Sequence, residues 1–215
     1  MGDLSWLIEK LYYIPGIIIG ASFMQFAQAY TAYLMGDMTP KESGRLTIEP
    51  WAHIDALGFL FIIIAGFGWA KPVPVNSDNF KHKRLGELVT SIAAPVTNLL
   101  ISFITLLVVY VVFNVFSYNN DVLFNILISL FYINIVFCVF NLLPIPPLTG
   151  SKILISLLPE KIGEKVNALE KYFFILILAL MVTKSFGYIL NPMVVFLANG
   201  LEDGVIFLLR LFGLI

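Results

Sequence analysis

Charged residues are scarce in this sequence, and so are the side chains that most often carry chemistry. Only 13% of the 215 residues are charged, and a formal net charge of -1 leaves no basic face for a nucleic acid. The single cysteine, Cys138, cannot form a disulfide within the chain, and there are only two histidines, His53 and His82. We therefore expect neither a nucleic-acid partner nor an internal disulfide.

What the sequence has in excess is apolar residues. They make up 59% of the chain, above the roughly half that is usual for soluble domains. A helix needs about 20 apolar residues to cross a bilayer, and the stretches 14–35, 86–116, 121–143 and 172–190 meet this requirement. The N-terminus lacks the basic region and cleavage site of a signal peptide, so the first stretch should remain as a span. The composition predicts a multi-pass integral membrane protein in contact with the lipid bilayer.

One apolar stretch, residues 54–69, is too short and too rich in glycine for an ordinary span. If it crossed the bilayer, the basic residues before and after it would lie on opposite sides, against the positive-inside bias. If it enters and returns, ten of the 13 lysines and arginines share one face, and loop 117–121, which has none, lies on the other. The charge pattern therefore favours a re-entrant hairpin at 54–69.

The loops that flank this stretch predict a small β-sheet on the same membrane face. Residues 44–55 alternate apolar and polar side chains before a proline, as a short strand does. In the segment 71–75, KPVPV, each residue before a proline is held in an extended conformation. Two such segments could pair, and an open edge of the sheet could accept an extended peptide.

The C-terminal part, residues 159–215, predicts further helices. Residues 159–171 alternate in charge and place apolar residues at helical spacing, which indicates an amphipathic helix. Residues 192–215 are apolar but interrupted by Asn199-Gly200 and Glu202-Asp203-Gly204, which favours a short helix, a turn and an interfacial segment.

Two polar features lie at unexpected places in the apolar runs. The stretch GASFMQFAQAY, residues 20–30, contains Gln25 and Gln28 among small residues, where ordinary helix packing and the remains of a site are both explanations. The stretch NLLPIPPLTG, residues 141–150, ends a span with three prolines that cannot continue a helix. Asn141 and Thr149 flank this break and could supply polar groups there.

Four segments taken together resemble a known family. DMTPKESGRLTIEPWAHIDALG, FGWAKPVPVNSDNFKHKRLGE, SIAAPVTN and FNLLPIPPLTG, in this order, are similar to the small bacterial site-2 proteases. These are multi-pass zinc metalloproteases that cut within transmembrane segments. The resemblance implies an all-α polytopic protein, with a three-helix core, a membrane-associated β-sheet and additional C-terminal helices. It also implies a single membrane domain, residues 1–215, located in a bacterial cell membrane.

The catalytic motif of that family is altered here. The family has H-E-x-x-H on the first core helix and an Asp after the prolines of the third. This sequence has Met24 and Gln28 at the histidine positions, Gln25 at the glutamate position and Thr149 at the aspartate position. Because an amide cannot act as a general base, and a thioether, an amide and a hydroxyl bind zinc poorly, the resemblance implies neither zinc nor proteolysis in this chain.

No other residues of the sequence readily replace the lost ligands. His53, Asp55 and His82 lie in loops, and the first two match the ordinary loop pattern of the family. Asn98 and Asn141 match family asparagines near the substrate cleft, where they could still hold an extended backbone. A role as hydrogen-bonding groups between packed helices is an equally good explanation of both.

Three functions remain open from the sequence. The first is an inactive homologue that binds transmembrane segments of single-span partner proteins without cutting them. The second is an engineered inactive form of an active intramembrane zinc protease. The third is a membrane scaffold, or a small transport component, built on the same fold.

Overall fold

A computed structural model describes residues 5–65, 68–168, 172–173, 175, 179–180, 183 and 185–215. The secondary structure of the described residues is helical, with a 3-10 turn at Ser77–Asn79 and a π-helix at Tyr110–Val115 that continues α5. The helices are α1 (Ser5–Met35), α2 (Thr39–Glu42), α3 (Pro50–His53), α4 (Ala56–Ala65), α5 (Lys83–Val109), α6 (Asp121–Leu142), α7 (Thr149–Leu157), α8 (Glu160–Ala168) and α9 (Phe186–Leu211).

The centre of the fold is formed by α1, α5 and α6, which pack against one another, with α9 against α5 and α6. Small residues on α1 permit this closeness. A Cβ atom on Gly16 would lie 2.9 Å from the Leu130 Cα of α6, and one on Gly20 would lie 2.5 Å from the Asn134 Oδ1. Glycines at such crossings let helix backbones approach. The face of α1 that carries these two glycines thereby lies directly against α6.

Three helices in the described part of the chain are long and apolar enough to cross a membrane: Lys83–Val115, Asp121–Leu142 and Gly187–Leu211. This is consistent with a multi-pass membrane protein. The first two coincide with predicted spans. The predicted first span, 14–35, lies within α1, which is not among these three, and that α1 crosses the bilayer stays a prediction.

The predicted strands at 44–55 and 71–75 do not form. A single antiparallel bridge joins Ile54 to Ala70, and the remaining residues are bends, extended chain and helix α3. The reason lies in the acceptors and donors that a sheet needs. The two prolines of KPVPV have no N–H, and the carbonyl oxygens of Lys71 and Pro72 accept hydrogen bonds from the Arg45 guanidinium instead.

The predicted hairpin at 54–69 is a short helix followed by a return of the chain. Helix α4 has ten residues, about 15 Å, roughly half the thickness of the hydrocarbon core. Gly58 and Gly68 face each other so closely that a Cβ atom on either would clash with backbone: that of Trp69 in the first case and of Gly58 in the second. The two ends of the segment meet at the Ile54–Ala70 bridge, so the segment begins and ends at the same place in the fold.

The prediction for residues 192–215 was wrong, because α9 runs without a break from Phe186 to Leu211. Glycine in a helix interior costs only about 1 kcal/mol relative to alanine. Burial of Val194, Ala198, Val205 and Leu209 against α5 and α6 outweighs that cost. The predicted amphipathic helix at 159–171 is formed as α8, whereas much of the predicted span at 172–190 lies outside the described residues.

The proline segment after α6 determines where Thr149 lies. α6 ends at Leu142, and α7 begins at Thr149, a helix that the sequence pattern did not indicate. A Cβ atom on Gly150 would meet the backbone carbonyls of Leu142 and Leu143, so the start of α7 rests directly on the end of α6. Only glycine permits this approach, and it brings Thr149 beside Asn141.

A buried carboxylate joins the end of α1 to the loop before α5. Asp37 Oδ1 accepts hydrogen bonds from the Thr39 amide (3.1 Å), the Thr39 hydroxyl (2.6 Å) and Asn79 Nδ2 (2.8 Å). Its Oδ2 accepts one from the Asn76 amide at 2.7 Å. Burial raises the pKa of Asp37, but these hydrogen bonds outweigh burial and leave the pKa below its ordinary value of 3.8.

This pKa shift predicts a loss of stability in acid. Because the pKa of Asp37 is lower in the folded than in the unfolded chain, its stabilisation is complete above the ordinary value of 3.8 and is lost as the pH falls through the folded value. At neutral pH we expect Asp37→Asn to lower the free energy of unfolding by about 2 kcal/mol. The difference in melting temperature between the two chains should shrink below that pH. A difference independent of pH would contradict the assignment; the exposed Asp78→Asn serves as the control.

Candidate functional site

The Met24 side chain lies where α1, α5 and α6 meet. Its sulfur accepts hydrogen bonds from Asn98 Nδ2 of α5 and Asn141 Nδ2 of α6, each at 3.2 Å. A thioether sulfur is a weak acceptor with two lone pairs, and here two amide donors engage it. Met24, which the resemblance places at a zinc-ligand position, thus accepts hydrogen bonds from both predicted cleft asparagines.

Thr149 lies on the other side of Asn141. Its hydroxyl donates to the Asn141 backbone carbonyl at 2.8 Å, with the Asn141 side-chain oxygen also within 3.3 Å. Asn141 therefore links the Met24 and Thr149 positions, which are 125 residues apart in the chain. The three-proline break of the sequence makes this link, because it turns α7 back onto the last turn of α6.

Gln25 points away from this cluster and toward the loop that contains Arg45. The Arg45 guanidinium donates to Gln25 Oε1 at 3.0 Å, and Gln25 Nε2 donates to the His53 carbonyl at 3.4 Å. Both ends of the amide are used, and a carboxylate could satisfy only the first of these two partners. Gln25 is 3% exposed, so the neutral amide is matched to a buried environment.

Arg45 is the centre of a second polar cluster that the sequence motifs did not single out. Its side chain is buried and donates to the carbonyls of Ala52, Lys71 and Pro72 as well as to Gln25. Burial lowers the pKa of Arg45. The only signal in the sequence is a lone arginine within the GRLT segment, and its four acceptors become visible only once the loops are folded.

The histidines and the aspartate that could have replaced the lost ligands are engaged elsewhere or exposed. His53 is fully buried, and its Nε2 lies 2.6 Å from the Thr47 carbonyl. Burial lowers the pKa of His53, with the nearby Arg45 charge acting in the same direction, and outweighs the hydrogen bond to Thr47. Asp55 accepts from the Gly58 amide at the start of α4, and His82 is exposed before α5.

Gln28, one turn after Met24, lines a cavity of about 180 Å3 between α1, α5, α7 and the loop before α5. Thr90 on its wall is buried, and none of the described residues is a hydrogen-bond partner of its hydroxyl. The other polar side chains that line it are Ser77, Glu87, Ser91 and Lys152. Gln28 therefore faces a polar cavity beside the Met24 cluster.

The side chains of this site do not fit zinc. The Met24 sulfur accepts hydrogen bonds from two amide donors, and the Thr149 hydroxyl donates a hydrogen bond to the Asn141 carbonyl. Neutral amide, hydroxyl and thioether groups lack the charge and basicity of zinc ligands. Nowhere in the residues that the structure describes do three histidine, cysteine, aspartate or glutamate side chains converge on one point.

The fold and the site define a helical protein with membrane-span-capable helices gathered around neutral polar groups. The chain is 41% identical over 189 residues to "Putative zinc metalloprotease YwhC" of Bacillus subtilis (strain 168), and the match covers 85% of each chain. The chain therefore belongs to the family of this metalloprotease. No protein-family model and no solved structure matches it.

Proposed function

We propose that this protein is a non-proteolytic site-2-protease homologue that binds the transmembrane segment of a single-span membrane protein without cutting it. The observation that carries the proposal is the Met24 sulfur, which accepts hydrogen bonds from Asn98 and Asn141 where the family has a zinc ligand. With Gln25 hydrogen-bonded to Arg45, neither a metal-bound water nor a general base is available for peptide hydrolysis.

Binding of a peptide backbone is supported by the unused hydrogen-bonding capacity near Met24. Asn98 is fully buried, yet its Oδ1 has no hydrogen-bond partner among the residues that the structure describes. Gln28 presents a second amide to the open cavity. A transmembrane segment that unwinds locally exposes N–H and C=O groups, and these need polar partners inside the bilayer. Amide side chains can offer both a donor and an acceptor to such a segment.

Photo-crosslinking in the bacterial membrane tests this proposal. A photoreactive amino acid at Val75, on the wall of the cavity beside Gln28, should give a covalent adduct with an intact single-span protein. The substitution Asn98→Leu should reduce the adduct by about tenfold, because it removes the amide that faces the segment. Asn125→Leu, at an exposed asparagine of α6, should leave the adduct unchanged, and a probe at the exposed Val195 should give none.

The outcomes separate the proposal from the other functions. An adduct with a cleaved partner would show proteolysis and overturn it. An adduct that Asn98→Leu and Asn125→Leu affect equally would also contradict it, and would favour a scaffold that binds through its outer surface. An adduct with an intact partner that Asn98→Leu reduces and Asn125→Leu does not would support binding in the cleft.

A further inference from the structure

A second cavity, of about 290 Å3, lies away from the Met24 cluster. It is bounded by α6, by α9, and by the last residues of α5 with the π-helix that follows. Along α5 its lining begins at Leu106, about two helical turns beyond Asn98. It shares no lining residue with the cavity beside Gln28. Whatever it binds would be independent of the proposed cleft.

Aromatic rings form much of the wall of this second cavity. The Phe113 and Phe124 rings meet edge to face with centroids 5.1 Å apart, and Phe131 and Tyr132 do so at 4.9 Å. The faces of aromatic rings carry negative potential and attract cations. The aromatic residues that line the cavity are Tyr110, Phe113, Phe124, Phe131 and Tyr132.

One acidic side chain completes the wall. Glu202 interrupts the apolar helix α9, and its Oε1 accepts a hydrogen bond of 2.6 Å from the Tyr110 hydroxyl. In the ranges that the structure describes, no lysine, arginine or histidine pairs with this carboxylate. The Tyr110 hydroxyl orients Glu202, and none of the described cationic side chains neutralises the carboxylate.

The local backbone is also unusual at this point. Residues Tyr110–Val115 form a π-helix, a rare conformation that is frequently found at functional sites. Three of these residues, Tyr110, Phe113 and Asn114, line the cavity. The π-helix therefore supplies two of the five rings and the hydroxyl that holds Glu202.

We propose that this cavity binds the ammonium group of an organic cation, with the aromatic rings around the cation and the Glu202 carboxylate as its counter-ion. Alkylated ammonium groups combine a positive charge with an apolar surface, and aromatic cages recognise both properties. A metal ion or an inorganic cation would gain little from the rings. The same chemistry occurs in a free amine and in the headgroup of a choline or ethanolamine phospholipid.

Calorimetry with choline tests the proposal on the full chain in nanodiscs of phosphatidylglycerol, which contains no ammonium group. The matched probe is 3,3-dimethyl-1-butanol, in which a carbon replaces the nitrogen of choline and the charge is lost. We expect choline to bind at least about tenfold more tightly than this alcohol. Glu202→Gln should weaken choline binding by about tenfold, whereas Asp203→Asn, at the neighbouring acid that is exposed like Glu202 but does not line the cavity, should not change it.

A second arm identifies the source of the ammonium group. The ligand is a lipid headgroup if two results are obtained together. Phosphatidylcholine or phosphatidylethanolamine in the nanodisc should abolish choline binding by competition, and Glu202→Gln should remove the retention of that lipid in native mass spectrometry. If these lipids do not compete, the ligand is a free cation. Either result supports the proposal. Equal binding of choline and its neutral analogue, equal effects of Glu202→Gln and Asp203→Asn, or no binding of choline and of both lipids would overturn it.

Discussion

Restoring all four altered groups together is expected to turn a chain without zinc into one that binds about one zinc ion. The variant is Met24→His, Gln25→Glu, Gln28→His and Thr149→Asp. The two histidines would lie four residues apart on α1, on one helical face, as zinc ligands of this motif do. Thr149 already lies beside Asn141, whose amide contacts Met24, so an aspartate there would complete the ligand set.

Zinc content of the purified protein after dialysis, measured by mass spectrometry, checks this prediction. A variant that keeps Gln25 but carries the other three changes should bind zinc and fail to cleave a transmembrane substrate, because the general base is missing. A variant that keeps Gln28 should lose most of the zinc. Stoichiometric zinc in the unaltered chain would contradict our account of the site, and attention would turn to His53, His82 and Asp55.

The second large effect is expected from Arg45→Met. This change keeps much of the side-chain volume and removes every donor to Gln25 and to the carbonyls of Ala52, Lys71 and Pro72. A buried acceptor left without a donor costs about 1–3 kcal/mol, so we expect a loss of at least about 3 kcal/mol in the free energy of unfolding.

Thermal unfolding in detergent, followed by far-ultraviolet circular dichroism, measures this loss. Arg84→Met is the matched control, because Arg84 is an exposed arginine in the first turn of α5. Its effect should stay within about 0.5 kcal/mol. If both variants unfold at the same temperature, Arg45 does not hold the loops to α1.

The chemical character of the site could be predicted from the sequence, and its contacts could not. That Met24, Gln25, Gln28 and Thr149 stand at the altered motif positions follows from the order of the motifs along the chain. That Asn98 and Asn141 donate to the Met24 sulfur depends on how α5 and α6 cross α1. Whether these amides also hold a partner's backbone remains a prediction.

The predictions made from local sequence patterns were wrong where contacts with residues distant in the sequence dominated. The alternation and the prolines of an extended chain are present in residues 44–55 and 71–75. However, the Arg45 guanidinium donates hydrogen bonds to carbonyl oxygens that a neighbouring strand would need as acceptors. Residues 192–215 contain turn-forming residues, but burial of one face against α5 and α6 keeps α9 continuous. In both cases tertiary contacts outweighed local preferences of about 1 kcal/mol per residue.

By itself the sequence determined which functional groups exist. At the four positions that the resemblance assigns to the zinc ligands and the general base it has Met24, Gln25, Gln28 and Thr149, and folding cannot change these groups. It also determined the apolar helices and the proline break, because these follow from composition and from the missing N–H of proline. Only the tertiary structure decided the partners of Met24, the burial of Arg45 and the pairing of Tyr110 with Glu202. The hydrogen bonds from Asn98 to Met24, from Arg45 to Gln25 and from Tyr110 to Glu202 join residues at least 20 positions apart, and such contacts depend on the packing of whole helices rather than on local sequence.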